Sequence, residues 1–96
     1  MLFYIRKLIW TKSNIEHIGF HHITVEEVEE GIFENVPFFT KGREDRIYCF
    51  THTPDGKYLF IVLAPKKQGA YYVITAREMT KRERTWYNKK KGGRKK

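Results

Sequence analysis

The chain has 96 residues, 41% of them hydrophobic and 16% aromatic, and a single cysteine. This suffices for one packed core but not two, which excludes functions needing two independent domains, a disordered body and an internal disulfide. The formal charge of +8 is confined to one end: Arg77 to Lys96 hold ten Lys/Arg against Glu78 and Glu83, whereas residues 1–76 carry nine of each sign. A balanced body with a basic arm implies a polyanion or an acidic protein as partner.

In chain order, residues 3–9 are β-branched and aromatic around Arg6-Lys7, the pattern of an edge strand whose charges deter pairing with another molecule. Thr11 or Ser13 is placed to cap a short helix through Asn14 to Ile18, with Ile15 and Ile18 on one face. Thr24 followed by Glu27 has the spacing of a capping box, and Ile23 with Val28 that of a hydrophobic staple. Val25, Val28 and Ile32 then line one face of a helix over 24–33, and Glu26, Glu27, Glu29 and Glu30 project from the other.

After Val36 the apolar period changes from helical to alternating. It predicts a short strand over 37–40 and a polar turn from Gly42 to Asp45. Strands follow over 46–53, 57–64 and 70–77, linked closely enough to be antiparallel neighbours. Thr80 and Glu83 repeat the capping-box spacing and open a basic helix from Met79 to about Lys90, docked by Trp86 and Met79. The expected fold class is α+β: an N-terminal strand, two short helices, an antiparallel sheet of about four strands and a C-terminal basic helix, in one domain over residues 1–90 with a basic disordered tail at 91–96. Apolar stretches too short for a signal peptide or membrane span, with the lone Cys49 in an apolar run, lead us to expect a cytoplasmic protein without a membrane partner.

No His-Glu-x-x-His or multi-cysteine spacing is present, so no metal and no other cofactor is expected, and Ser13, the one serine, suits a helix cap. The remaining chemistry-bearing residues are cations, histidines and tyrosines, the set a metal-free ribonuclease uses. Cleavage of RNA by its own 2′-hydroxyl needs a base, cations for the phosphorane and an acid for the leaving 5′-oxygen. Arg77 is the first candidate cation because it ends a strand and is rigidly held; the alternative is an ion pair with a glutamate of the acidic helix. Arg82 and Arg84 face different sides of the last helix, so at most one joins Arg77. His21 and Tyr87 are candidate proton carriers, against the alternatives of a helix cap and a packing aromatic. Lys41, Arg43, Lys81, Arg84, Lys89, Lys90 and Lys91 are candidate RNA-binding residues.

Several of these pieces resemble the BrnT family of toxins from bacterial type II toxin–antitoxin systems. They are the Ile15-Glu16-His17-Ile18 helix, His21 ahead of Thr24-Val25-Glu26-Glu27-Val28-Glu29-Glu30, and the three-strand meander. Most specific is Ile74-Thr75-Ala76-Arg77-Glu78-Met79-Thr80-Lys81-Arg82-Glu83-Arg84 running into Tyr87. The chain departs from the family pattern in having His21-His22 where members often show His-Gly, and Val25 where Pro is common. The resemblance implies a RelE-like fold, a metal-independent endoribonuclease that cleaves RNA, free or on the ribosome, and inhibits translation, and neutralisation by a cognate antitoxin protein through which alone operator DNA is bound. Carried over by position, it assigns Arg77, Arg82 with Arg84, and His21 to the site. From the charge alone, a non-catalytic RNA- or ribosome-binding module, or a subunit whose basic helix docks on an acidic antitoxin, are the other readings.

Overall fold

The change of apolar period after Phe33 divides two helices from a meander of strands, and the computed structural model, which describes residues 4–93, follows that division. Strand β1 (Lys7–Ile9) leads into α1 (Lys12–Gly19) and α2 (Val25–Phe33). Then come β2 (Phe38–Lys41), β3 (Ile47–His52), β4 (Tyr58–Pro65), a short 3-10 turn at Lys67–Gly69, β5 (Ala70–Glu78) and α3 (Lys81–Gly93). The protein is α+β. Its one sheet has the order β1-β5-β4-β3-β2, antiparallel except where β1 pairs parallel to β5 at the edge.

Caps start the helices where the sequence places them. Thr11 caps α1, with Asn14 completing a capping box, and Thr24 caps α2 reciprocally with Glu27. In α3 the Thr80 amide donates to Glu83 Oε1 at 2.9 Å and the Glu83 amide to Thr80 Oγ1 at 3.2 Å. Each box satisfies amides that the first helical turn would otherwise leave unpaired.

Alternation along the strands gives the sheet two apolar faces. On one, Cys49, Leu59, Ile61, Leu63, Val73 and Ala76 meet Ile18 of α1 and Val28 and Ile32 of α2. On the other, Phe50 joins Met79 and Tyr87, with Phe38, Tyr48, Tyr58, Phe60 and Trp86 packed around them. The sheet is thus the middle layer, with α1 and α2 on one side and α3 on the other. The Cys49 thiol sits wholly in the first core, where burial pushes its pKa far up and leaves it an inert hydrophobe.

Four expectations need correction. Strand β1 starts at Lys7 rather than residue 3; Tyr4 to Arg6 are not strand, and residues 1–3 lie outside the described part. On α1 it is Asn14, 2% exposed, that shares the inner face with Ile18, while Ile15 is 43% exposed. Asn14 Nδ2 donates to the carbonyls of Ile9 (2.9 Å) and Val73 (3.0 Å), so a polar side chain pins α1 to β1 and β5 where an apolar one was expected. Helix α3 opens at Lys81 rather than Met79, because the Met79 amide still donates to Tyr58 at the sheet. It also runs to Gly93, so Lys91 is helical rather than the start of a tail; residues 94–96 lie outside the described part.

Candidate nucleic-acid interface

The outer face of the sheet is built by parity. In β3, Tyr48, Phe50 and His52 alternate with the core residues Ile47, Cys49 and Thr51; in β4, Tyr58, Phe60 and Val62 alternate with Leu59, Ile61 and Leu63. Register then sets them side by side as Phe38, Phe50, Phe60 and Arg77 in one row, Thr40, Tyr48, Val62 and Thr75 in the next, and His52 with Tyr58 nearest the β3–β4 turn. A sheet face that turns away from the main core yet carries this many rings is either covered or made to bind. Here it is half covered.

Helix α3 lies across the first and third rows. Tyr87, 1% exposed, is its deepest anchor; its ring packs edge-on against Tyr58 and His52, with centroids at 5.9 and 6.0 Å. Trp86 packs on Phe50 (4.9 Å) and Phe38 (5.2 Å). Because Trp86 lands one row further from the turn than Tyr87 does, the flank that carries Arg82 and Lys89, at i−4 and i+3 from Trp86, looks towards the open row of Tyr48 and Val62. Arg84 and Lys91 lie on the opposite flank.

The open half is walled by cations. A hollow of about 340 Å³ is lined by Arg43, Glu44, Arg46, Tyr48, Phe60 and Val62. On the helix side, Lys81, Arg82, Thr85, Trp86 and Lys89 line a shallow groove of about 600 Å³. Tyr48 and Phe60 meet edge-on at 5.3 Å in the floor of the hollow. Arg43 and Arg46 are set by a tight β-turn in which the Arg46 amide donates to the Arg43 carbonyl at 2.9 Å. Its central residues Glu44 and Asp45 have φ of 54° and 64°, the left-handed conformation that a two-residue hairpin of this twist requires and that Asn-Gly adopts at lower cost. Gly42 precedes the turn because the Tyr48 ring lies against it and a Cβ would overlap that ring.

Arg77 does end its strand in this face, but it is not a free cation. Its guanidinium makes a bidentate pair with Glu83, both hydrogen bonds 2.9 Å, donates to the Glu78 carbonyl at 3.1 Å, and stacks on Phe60 with Cζ 4.4 Å from the ring centre. The alternative of an ion pair is therefore realised, with a glutamate of α3 rather than of α2. The hydrogen bonds that Arg77 donates to Glu83 hold the Arg77 pKa up and the Glu83 carboxyl below its ordinary value of 4.5. The pair locks the first turn of α3 to β5.

The other sequence candidates divide. Arg82, Lys81, Lys89 and Arg43 border the open half, and Arg77 lies on the Phe60 ring of its floor. Arg84 lies over Tyr58 at 4.9 Å, Lys91 over Tyr87 at 5.3 Å and Lys90 over Trp86 at 5.8 Å. Lys41 pairs with Ile47, a core residue, so it projects to the other side of the sheet. His21 is exposed at the end of α1, edge-on to His17 at 5.6 Å, on the layer that the sheet separates from α3. It does not join Arg77. Its neighbour His22 takes φ of 63°, so the left-handed turn that a glycine would favour is made by a histidine, with its carbonyl held by Lys57 Nζ at 2.7 Å.

No protein-family model matches the sequence, and no curated protein or solved structure matches it.

Arg46, Tyr48, Phe60 and His52 escaped the sequence reading, although the parity that puts aromatics on the outward positions of β3 and β4 was the available signal. Tyr87 was found, but as a core anchor whose hydroxyl lies 3.0 Å from His52 Nδ1. Among the described residues no three His, Cys, Asp or Glu side chains are grouped to hold a metal ion, and no helix is long and apolar enough to cross a membrane.

Proposed function

We propose that the protein is a ribonuclease toxin of the BrnT kind, acting in the cytoplasm on RNA without a metal ion and neutralised by an antitoxin that covers the basic face. The observation that carries this reading is the half-covered aromatic face of the sheet, bordered by Arg43 and Arg46 on one side and Arg82 and Lys89 on the other. Guanidinium and ammonium groups at the rim suit phosphates, and the half-buried Tyr48 ring in the floor suits an unpaired base, which stacks on aromatics without regard to sequence. Arg77, neutralised by Glu83, serves as the lock that seats α3 over this face, and the cations that act on phosphate are the unpaired ones on the helix flanks and the β2–β3 turn.

Induced expression with and without the gene of the candidate antitoxin, scored by growth and RNA integrity, tests the reading. Growth arrest with fragmented RNA, relieved by co-expression, is the expected result. In the purified protein, Arg82→Ala combined with Lys89→Ala should weaken RNA binding by one to two orders of magnitude at low salt, and unchanged binding would remove RNA from this surface. The neutralised Arg77 favours one rival, a module that grips RNA by phosphate contacts and cuts nothing. Tight, salt-sensitive binding with intact RNA after long incubation selects it.

A further inference from the structure

The flank of α3 opposite the Arg82 groove holds a second group of residues, gathered around the Tyr87 anchor. His52 ends β3 half-exposed, with its Nδ1 3.0 Å from the Tyr87 hydroxyl. The same hydroxyl lies 3.4 Å from the Val36 carbonyl, to which it donates; in the tautomer in which Nδ1 carries the proton and donates to the hydroxyl oxygen, Nε2 holds the lone pair. Tyr58 stands beside the imidazole, 5.9 Å between centroids, and donates its own hydroxyl to Asn88 Oδ1 at 3.3 Å. Over these two tyrosines lie the cations Arg84 and Lys91. A base held through its second nitrogen, with two cations alongside and, among the described residues, no carboxylate joined to it, is the arrangement that cleavage of RNA by its 2′-hydroxyl calls for.

On the ribonuclease reading above, we propose that His52 is a catalytic residue that takes the 2′-hydroxyl proton of a bound ribonucleotide at Nε2, with Arg84 and Lys91 holding the scissile phosphate and Tyr87 positioning the ring. As O2′ bonds to phosphorus, the P–O5′ bond breaks. The 5′-oxygen leaves with a proton from water and His52 returns its proton to solvent. The sum is one proton moved from O2′ to O5′, a 2′,3′-cyclic phosphate and a free 5′-hydroxyl, with no co-reactant consumed.

Partial burial, and then the charge of Lys91, lower the His52 pKa from its ordinary value of 6.5, which keeps the ring in the basic form at neutral pH. The titratable and charged groups that face it are Tyr58 from β4 and Tyr87, Lys91 and, across Tyr58, Arg84 from α3. The acid limb of the rate profile of the unmutated protein therefore has its midpoint below pH 6.5.

The test is cleavage of a single-stranded oligoribonucleotide by the full chain and by the His52→Gln, Tyr87→Phe and His17→Gln variants, with melting temperature and RNA binding measured alongside. For His52→Gln the expected result is a rate lower by about 10² to 10⁴, the range for loss of a general base, with binding retained. Tyr87→Phe should lower the rate less and move the acid limb, and His17→Gln should change nothing. A His52→Gln variant that cuts at the unmutated rate overturns the proposal and leaves the ribonuclease reading standing. An unmutated rate whose acid limb has its midpoint above pH 6.5 overturns it without any variant. An unmutated protein that binds but never cuts RNA overturns the ribonuclease reading itself, and this proposal with it.

Discussion

Arg77 and Glu83 show how one ion pair carries several duties. Its four atoms make a fork-to-fork contact at 2.9 Å, and the same carboxylate closes the Thr80 capping box, so Glu83 satisfies backbone and guanidinium together. With the side chains 36% and 25% exposed, solvent screens the pair, and each of Arg77→Ala and Glu83→Ala should cost about 1–2 kcal/mol, the cap included. A double-mutant cycle by chemical denaturation should find the two losses clearly non-additive; full additivity would mean that the pair does not act as a unit. Because the folded-state pKa of Glu83 is depressed, its contribution is present above the ordinary value of 4.5 and fades as pH falls through the folded value, whereas Glu83→Ala should lack that fade. The sequence marked Arg77 as rigid through its place at a strand end. Its partner was not legible, because a lock between β5 and α3 depends on how the helix returns across the sheet, and Glu26, Glu27, Glu29 and Glu30 of α2 competed for it.

At the level of elements, the joints were harder to read than the elements themselves. Alternating and helical spacing, the Thr24 and Thr80 caps and a choice between Thr11 and Ser13 place both helices of the first layer, the meander and α3, but the same spacing gives α1 an apolar inner face. What pins it is the Asn14 amide, whose Nδ2 serves two strands while Oδ1 accepts from the Thr11 amide at 2.7 Å. Nothing local distinguishes that residue from an ordinary helix-start asparagine. Asn14→Ala should cost about 2–4 kcal/mol, since it strands buried carbonyls of β1 and β5, and a smaller loss by thermal melting would show that water replaces the amide. Gly31 makes the comparable joint between α2 and β3: its carbonyl accepts from Thr51 Oγ1 at 2.6 Å, and a Cβ would come within 2.7 Å of Thr51 Cγ2. Its role shows only when the two elements are docked.

Across the whole molecule, charge and aromatic surface fall on the same side. The body is neutral overall and the +8 rides on the segment that includes α3, whose two cationic flanks border the aromatic face of the sheet. If six or more of Arg43, Arg46, Lys81, Arg82, Arg84, Lys89 and Lys91 meet phosphate, RNA affinity should fall by about 10³ or more between roughly 50 and 200 mM salt. A slope near zero would point to an acidic protein as the sole partner of this surface. The central claim is that this face cuts RNA by means of the substrate's own 2′-hydroxyl. Its most direct measurement is incubation of the purified chain, in EDTA, with two end-labelled single strands of one sequence, one all ribose and one all 2′-deoxyribose. The account predicts cleavage of the ribose strand to 2′,3′-cyclic phosphate ends and an intact deoxyribose strand; cleavage of both, of neither, or only after a divalent metal is added would contradict it.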